Sequence, residues 1–215
     1  MLRDGGRASR YRARVAELLE DVGLRADMAG RRPMELSGGQ RQRVAIARAL
    51  STRPKVIIAD EAVASLDMSA RGQILNLFSR LQAEHGFAYL YISHDLSLVR
   101  HVCDRVVVMY GGQVMETAST DELFVDPRHP YTQALISAVP IPDPAAERAR
   151  RLMTIRGEVG EGAAEQGCAF RTRCPIAQER CAAERPRLDP LDAHGVACHF
   201  AAEAAARYVR AGSAP

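Results

Sequence analysis

The stretch "LSGGQRQRVAIARAL", residues 36–50, decides how this 215-residue chain is read. Ser37 is a strong helix N-cap residue. Gly38 and Gly39 carry no side chain that would keep a ligand away from their backbone N–H groups. The helix that follows directs its positive dipole end at the same point. Together these features describe an anion site suited to a terminal phosphate. A Ser-Gly-Gly on its own is most often a turn or a cap, but followed by "QRQRVAIARAL" it becomes a specific pattern.

Working outward, "RYRARVAELLEDVG" (10–23) places Val15, Leu18, Leu19 and Val22 at helical spacing. Downstream, "KVIIAD" (55–60) is a short β-branched run after Pro54, and "FAYLYIS" (87–93) is a second apolar run. Both are predicted to be buried parallel strands. Between them "SARGQILNLFSRLQAEHG" (69–86) has helical periodicity, and "DLSLVRHVC" (95–103) is a helix that Asp95 can cap. "DRVVVMYGGQVMETAS" (104–119) alternates around Gly111-Gly112 and predicts a hairpin. "DELF" and "HPYTQALISAV" are predicted to be helical. This order of elements implies an α/β architecture with a partly parallel sheet. "PIPDP" (140–144) is the best linker candidate, and beyond it lie a charged helix (145–152), a glycine-rich stretch and four of the five cysteines.

Composition narrows the function. With 47% hydrophobic and 26% charged residues the chain is an ordinary globular one. No run approaches the ~18–20 apolar residues of a membrane span, and the basic N-terminus lacks the apolar core of a secretory signal. A cytoplasmic location is therefore expected. The 29 basic and 26 acidic residues are interleaved and aromatics make up 5%, which argues against a nucleic-acid partner.

Two further elements carry chemistry. "VIIADEAVASLD" (56–67) ends an apolar strand in Asp60 and Glu61. The first carboxylate can hold Mg2+ through water, and the second can orient an attacking water as general base. "YLYISHD" ends the other strand in His94, which could reach the same phosphate.

These three elements, in this order, resemble the ATP-binding subunits of ABC transporters. The resemblance implies a partial P-loop NTPase (ABC) domain over residues 1–142, with a helical signature subdomain, and a small cysteine-containing module over 143–215. It makes Ser37, Gly38, Gly39 and Gln40 the signature motif that serves the partner subunit's ATP. It also makes Asp60 the magnesium carboxylate, Glu61 the catalytic carboxylate, Ser65–Asp67 the loop that faces the partner, and His94 the switch histidine. "DEAVASLD", "HPYTQALISAVPIPDP" and "GCAFRTRCPIAQERC" narrow the likeness to the oligopeptide/dipeptide importer branch. Implied partners are a second ATP-binding subunit, two permease subunits and an extracytoplasmic peptide-binding protein. The implied location is the cytoplasmic face of the cell membrane.

A phosphate loop would end in Gly-Lys-Ser/Thr. The sole lysine, Lys55, lies between Pro54 and Val56, so no such loop occurs in these residues. The chain therefore matches the C-terminal part of such a subunit and is expected to be inactive by itself and marginally stable. Cys168, Cys174, Cys181 and Cys198 are spaced C-x5-C-x6-C-x16-C. That is wider than a zinc knuckle, which leaves a [4Fe–4S] cluster, Zn2+ or unliganded structural thiols as readings. The resemblance adds that a cluster has been assigned to some members. Cys103 stands apart in a helix and is expected to be a buried apolar residue. A second reading from another class is a non-catalytic metal- or redox-sensing partner that lends its signature motif to a complete subunit.

Overall fold

The computed structural model describes residues 5–140, 143–149, 153, 155–156, 166–188 and 193–208. The chain divides into two compact units between His94 and Asp95. The boundary expected at 142/143 falls on a residue outside those described, and the residues flanking it belong to one unit.

The first unit opens with α1 (Gly5–Asp21) and continues through two 3-10 turns to α2 (Gly38–Leu50). α1 buries Leu18 and Leu19, α2 buries Ile46, Ala47 and Leu50, and Arg43 ties the two together by donating from Nη1 to the Val22 carbonyl at 2.6 Å. β1 (Val56–Asp60), α3 (Met68–His85) and β2 (Ala88–Ile92) then form a βαβ unit. Its strands pair in parallel, Val56 opposite Ala88 and Asp60 opposite Ile92. The crossover helix α3 buries Ile74, Leu77, Phe78 and Leu81, and the Phe78 ring centroid lies 4.8 Å from that of Tyr89 on β2.

The strands depart from the sequence expectation in one respect. β1 alternates, with Ile57 and Ala59 buried while Val56 and Ile58 stay 56% and 64% exposed, and Leu90 and Ile92 of β2 are exposed too. Only one face of this sheet is covered among the described residues, whereas parallel strands are normally buried on both.

The second unit starts with α4 (Leu96–Val102), whose cap is Asp95 accepting from the Ser97 and Leu98 N–H groups. β3 (Arg105–Tyr110) and β4 (Gln113–Ser119) form the expected hairpin at Gly111–Gly112, and β5 (Gly195–Val196) pairs antiparallel with β4. α5 (Thr120–Val125), which packs against β3 and β4, and α6 (Pro130–Ser137), which packs against β4, are followed by α7 (Pro144–Ala149), α8 (Glu179–Ala183) and α9 (Ala201–Arg207). α7 corresponds to the charged helix expected at 145–152, whose last three residues lie outside those described, as does the glycine-rich stretch. Cys103 caps the end of α4 half-buried, against the core of Val99, Val106 and Leu123.

The cysteine-bearing segment is not a separate module. Phe170 is fully buried, with its ring centroid 5.1 Å from Tyr110 on β3 and 5.2 Å from Tyr131 on α6. Met115 of β4 shares the same apolar cluster with Cys168, Cys174 and Cys181. Gln133 of α6 is fully buried and donates through Nε2 to the Pro127 and Ala204 carbonyls, which fastens α6 to α9. The hairpin and the tail therefore bury one core between them.

Candidate functional site

The α2 N-terminus is built by a reciprocal pair of hydrogen bonds. Ser37 Oγ accepts from the Gln40 N–H at 3.2 Å, and Gln40 Oε1 accepts from the Ser37 N–H at 2.9 Å. Ser37 and Gly38 are exposed and Gly39 and Gln40 half-buried, so this turn faces outward. Using Oγ as an acceptor leaves its hydroxyl proton available to a ligand, and the first-turn N–H groups have no acceptor within the helix.

Nothing inside the protein asks for glycine at 38 or 39. Neither residue has a positive φ. A Cβ on Gly38 would lie 3.6 Å from Leu66 Cδ2, and one on Gly39 3.8 Å from Ala70 Cβ, both ordinary contacts. Among the described residues, neither φ nor a close contact requires glycine at these two positions. The turn opens onto a cavity of about 540 Å3 lined by Ser37, Gly39, Arg43, Ser65, Asp67 and Gln73.

Asp67 is also the N-cap of α3, its carboxylate accepting from the Ala70 N–H at 2.9 Å, a structural role that sequence reading missed. Arg71 braces the Ala64–Asp67 loop from behind by donating to the Leu66 and Ala64 carbonyls. A cationic side chain four residues beyond the cap was the only sequence signal for it.

Asp60 and Glu61 stand at the C-terminal end of β1, and His94 follows β2. The Glu61 N–H donates to the Ile92 carbonyl at 3.0 Å, which carries the strand pairing one residue past Asp60. Glu61 has φ = 49°, a left-handed conformation uncommon for a side chain of this size. Strain of this kind costs roughly 1–3 kcal/mol and clusters at functional sites. In this pose the Glu61 carboxylate accepts from His94 Nδ1 at 2.8 Å, with both groups open to solvent. The two side chains thus meet at the ends of adjacent parallel strands. The acidic pair and His94 do not line the cavity in front of Ser37.

The four clustered cysteines come together as well. Cys168, Cys174, Cys181 and Cys198 line one narrow chamber, walled also by His129, Pro130 and Arg171, with about 10 Å3 of free volume. Gly167 lets two backbone segments meet there: at φ = 66°, a Cβ on it would overlap the Cys181 carbonyl oxygen, 2.3 Å away. Burial raises the Cys168 thiol and pushes Cys174 up to about 11 and Cys198 to about 12. His129 is held neutral, its pKa lowered to about 4 by burial, and its Nδ1 accepts from the Tyr131 N–H. As arranged, the chamber does not fit a metal. Its volume admits about one water, and no group of His, Cys, Asp or Glu among the described residues is placed to hold an ion. The iron–sulfur and zinc expectations, and with them the metal- or redox-sensing partner, gain no support.

Comparison with known proteins places these features. Residues 3–64 match the family model "ABC transporter", and residues 115–181 match "Oligopeptide/dipeptide transporter, C-terminal region". The chain belongs to the oligopeptide/dipeptide ABC transporter ATP-binding family. Within it, the chain is 48% identical over 87% of its length to the oligopeptide transport ATP-binding protein OppF of Salmonella typhimurium. It is 49% identical over 87% to the oligopeptide transport ATP-binding protein AppF of Bacillus subtilis. The di/tripeptide transport ATP-binding protein DppF of Pseudomonas aeruginosa is 48% identical over 88%. The chain spans 56%, 57% and 58% of these relatives' own lengths. A crystal structure of an ATP-binding cassette of an ABC transporter in its ADP conformation matches with a TM-score of 0.50 at 31% identity, over 56% of this chain and 48% of that one. Among the described residues no helix of the ABC chain is long and apolar enough to cross a membrane.

Proposed function

We propose that this chain is part of the ATP-hydrolysing, energy-coupling subunit of an oligopeptide or dipeptide importer. The observation that carries the reading is the Glu61–His94 contact of 2.8 Å at the ends of two adjacent parallel strands. A carboxylate anchored there through its own backbone can orient a water for in-line attack on a terminal phosphate, and His94, held by that carboxylate, can steady the phosphate. Asp60, one residue earlier and exposed, is the carboxylate suited to hold a hydrated Mg2+, which when bound offsets charge on the transferring phosphate.

Ser37, Gly38, Gly39 and Gln40 would face a different nucleotide, held by a second ATP-binding subunit. Ser65 and Asp67, which share the cavity with Ser37, would meet the same partner. Two permease subunits and an extracytoplasmic peptide-binding protein complete the assembly in this reading, and the chain sits peripherally on the cytoplasmic face of the membrane. No Gly-Lys-Ser/Thr phosphate loop occurs in these 215 residues, so this polypeptide by itself does not turn over ATP.

The test measures ATP hydrolysis for the purified chain and for the assembled transporter, each with and without Glu61→Gln. The chain should be silent in both forms. The assembled transporter should lose at least roughly 100-fold in kcat with Glu61→Gln, within the range for loss of a general base, while still binding ATP. Wild-type turnover in the assembly that survives Glu61→Gln, or magnesium-dependent hydrolysis by the chain alone, contradicts the assignment.

A further inference from the structure

Glu116 of β4 is an unusual residue for a strand interior: a fully buried carboxylate. It accepts three hydrogen bonds. Two come from the backbone N–H groups of Arg128 and His129, at 2.7 and 2.9 Å, in the loop that starts α6. The third joins its Oε1 to His194 Nε2 at 2.8 Å, and the His194 side chain is only 5% exposed. His194 immediately precedes β5, whose pairing with Glu116 and Thr117 is followed by the Ala197 N–H donating to the Met115 carbonyl and then by Cys198. His129, Pro130 and Cys198 all line the thiol chamber. One carboxylate therefore anchors two segments that line the same chamber and lie more than 60 residues apart in the chain (128–130 and 194–198).

We infer that Glu116 is the positioning residue of the four-thiol chamber, and that its contact with His194 governs whether Cys198 can be reached by a thiol-seeking reagent or ligand. When the tail peels away the carboxylate loses its contact with His194 while its two bonds from the loop before α6 stay in place, so a buried charge is left short of one donor and the closed state is favoured. Replacing it by an amide of the same size keeps the volume but turns one oxygen into a donor that faces other donors. Opening to expose Cys198 then becomes a local event rather than a global one.

The experiment labels the reduced 215-residue chain with a maleimide and reads each cysteine by peptide mass spectrometry. Cys103 lies outside the chamber and is the internal reference. Glu116→Gln should speed labelling of Cys198 roughly tenfold relative to Cys103, the factor expected when buried hydrogen bonds to a charged acceptor are lost. His194→Gln releases only the tail side, so Cys198 should speed up while Cys168 and Cys174 change less than about twofold relative to Cys103. Unchanged ratios in both variants overturn the inference. So does an equal rise at all five cysteines, which reports a merely structural role. Should Glu116→Gln fail to fold, the His194→Gln ratios decide alone.

Discussion

Gly39→Ala separates a structural glycine from one kept for a ligand. Position 39 is the second residue of α2, in ordinary helical geometry, and the added methyl would meet Ala70 Cβ at 3.8 Å, a favourable contact without overlap. Restricting the unfolded chain and improving helix propensity should stabilise the protein by about 0.5–1 kcal/mol. For a chain of this length that raises Tm by roughly 1–4 °C. Gly23 is the control. It sits at φ = 71° with Arg43 Nη1 3.0 Å from where its Cβ would be, and Gly23→Ala should cost roughly 1–2 kcal/mol from the left-handed backbone alone. Urea unfolding followed by far-UV circular dichroism measures both. The same Gly39→Ala chain, placed in the assembled transporter, should lose roughly 100-fold in ATP hydrolysis, because a methyl group between the backbone N–H groups and a phosphate displaces the reacting group by more than an ångström. A destabilised Gly39→Ala variant would show that the glycine serves the fold. A stabilised variant with full activity would show that no phosphate approaches this backbone.

His129 makes stability depend on acid. Its pKa is lowered from 6.5 to about 4 in the folded protein, so the unfolded chain binds the proton first; the stability it contributes is complete above about 6.5 and lost as pH falls toward 4. The loss by pH 4 is about 3 kcal/mol, and His129→Asn, which keeps a capping acceptor without titrating there, should flatten that part of the pH profile; parallel profiles for the two proteins would refute it. The open face of β1 and β2 should make the isolated chain bind anilinonaphthalene sulfonate and self-associate. Val56→Thr with Ile58→Thr should reduce both, at a stability change within about 0.5 kcal/mol for each exposed site, and a loss well beyond that would mean the face is covered.

Local order was legible wherever one segment supplies its own partners. Ser37 and Asp95 each cap a helix from within three residues, and the Gly111–Gly112 hairpin closes on itself. Site geometry was legible to the same depth, since Glu61 and His94 end strands that pair directly. Burial was not, because it depends on what lies above a strand. "KVIIAD" and "FAYLYIS" have the composition of strands covered on both faces, and the structure covers one. The second fault line was the assumption that four cysteines after a proline-rich stretch form their own module. Their core is shared with Tyr110, Met115 and Tyr131, residues that the hairpin and "HPYTQ" contribute from the other side of that stretch.

Glu116 shows why such a core escapes sequence reading. In "QVMETAS" the strand alternation puts Met115 and Glu116 on opposite faces, so the pattern sends the glutamate to solvent. In the structure both are buried, because the tail returns as β5 on the edge away from β3 and the loop before α6 presents two N–H groups to the Glu116 carboxylate. A carboxylate can be buried there only with donors in place, and every donor comes from elsewhere: Arg128 and His129 from 12 and 13 residues downstream, His194 from 78. The strand alone therefore reads as half-solvated, and its burial becomes intelligible only once the tail is folded over it. That dependence runs both ways: the tail needs Glu116 as much as Glu116 needs the tail, so tail docking and burial of this carboxylate should occur as one cooperative step.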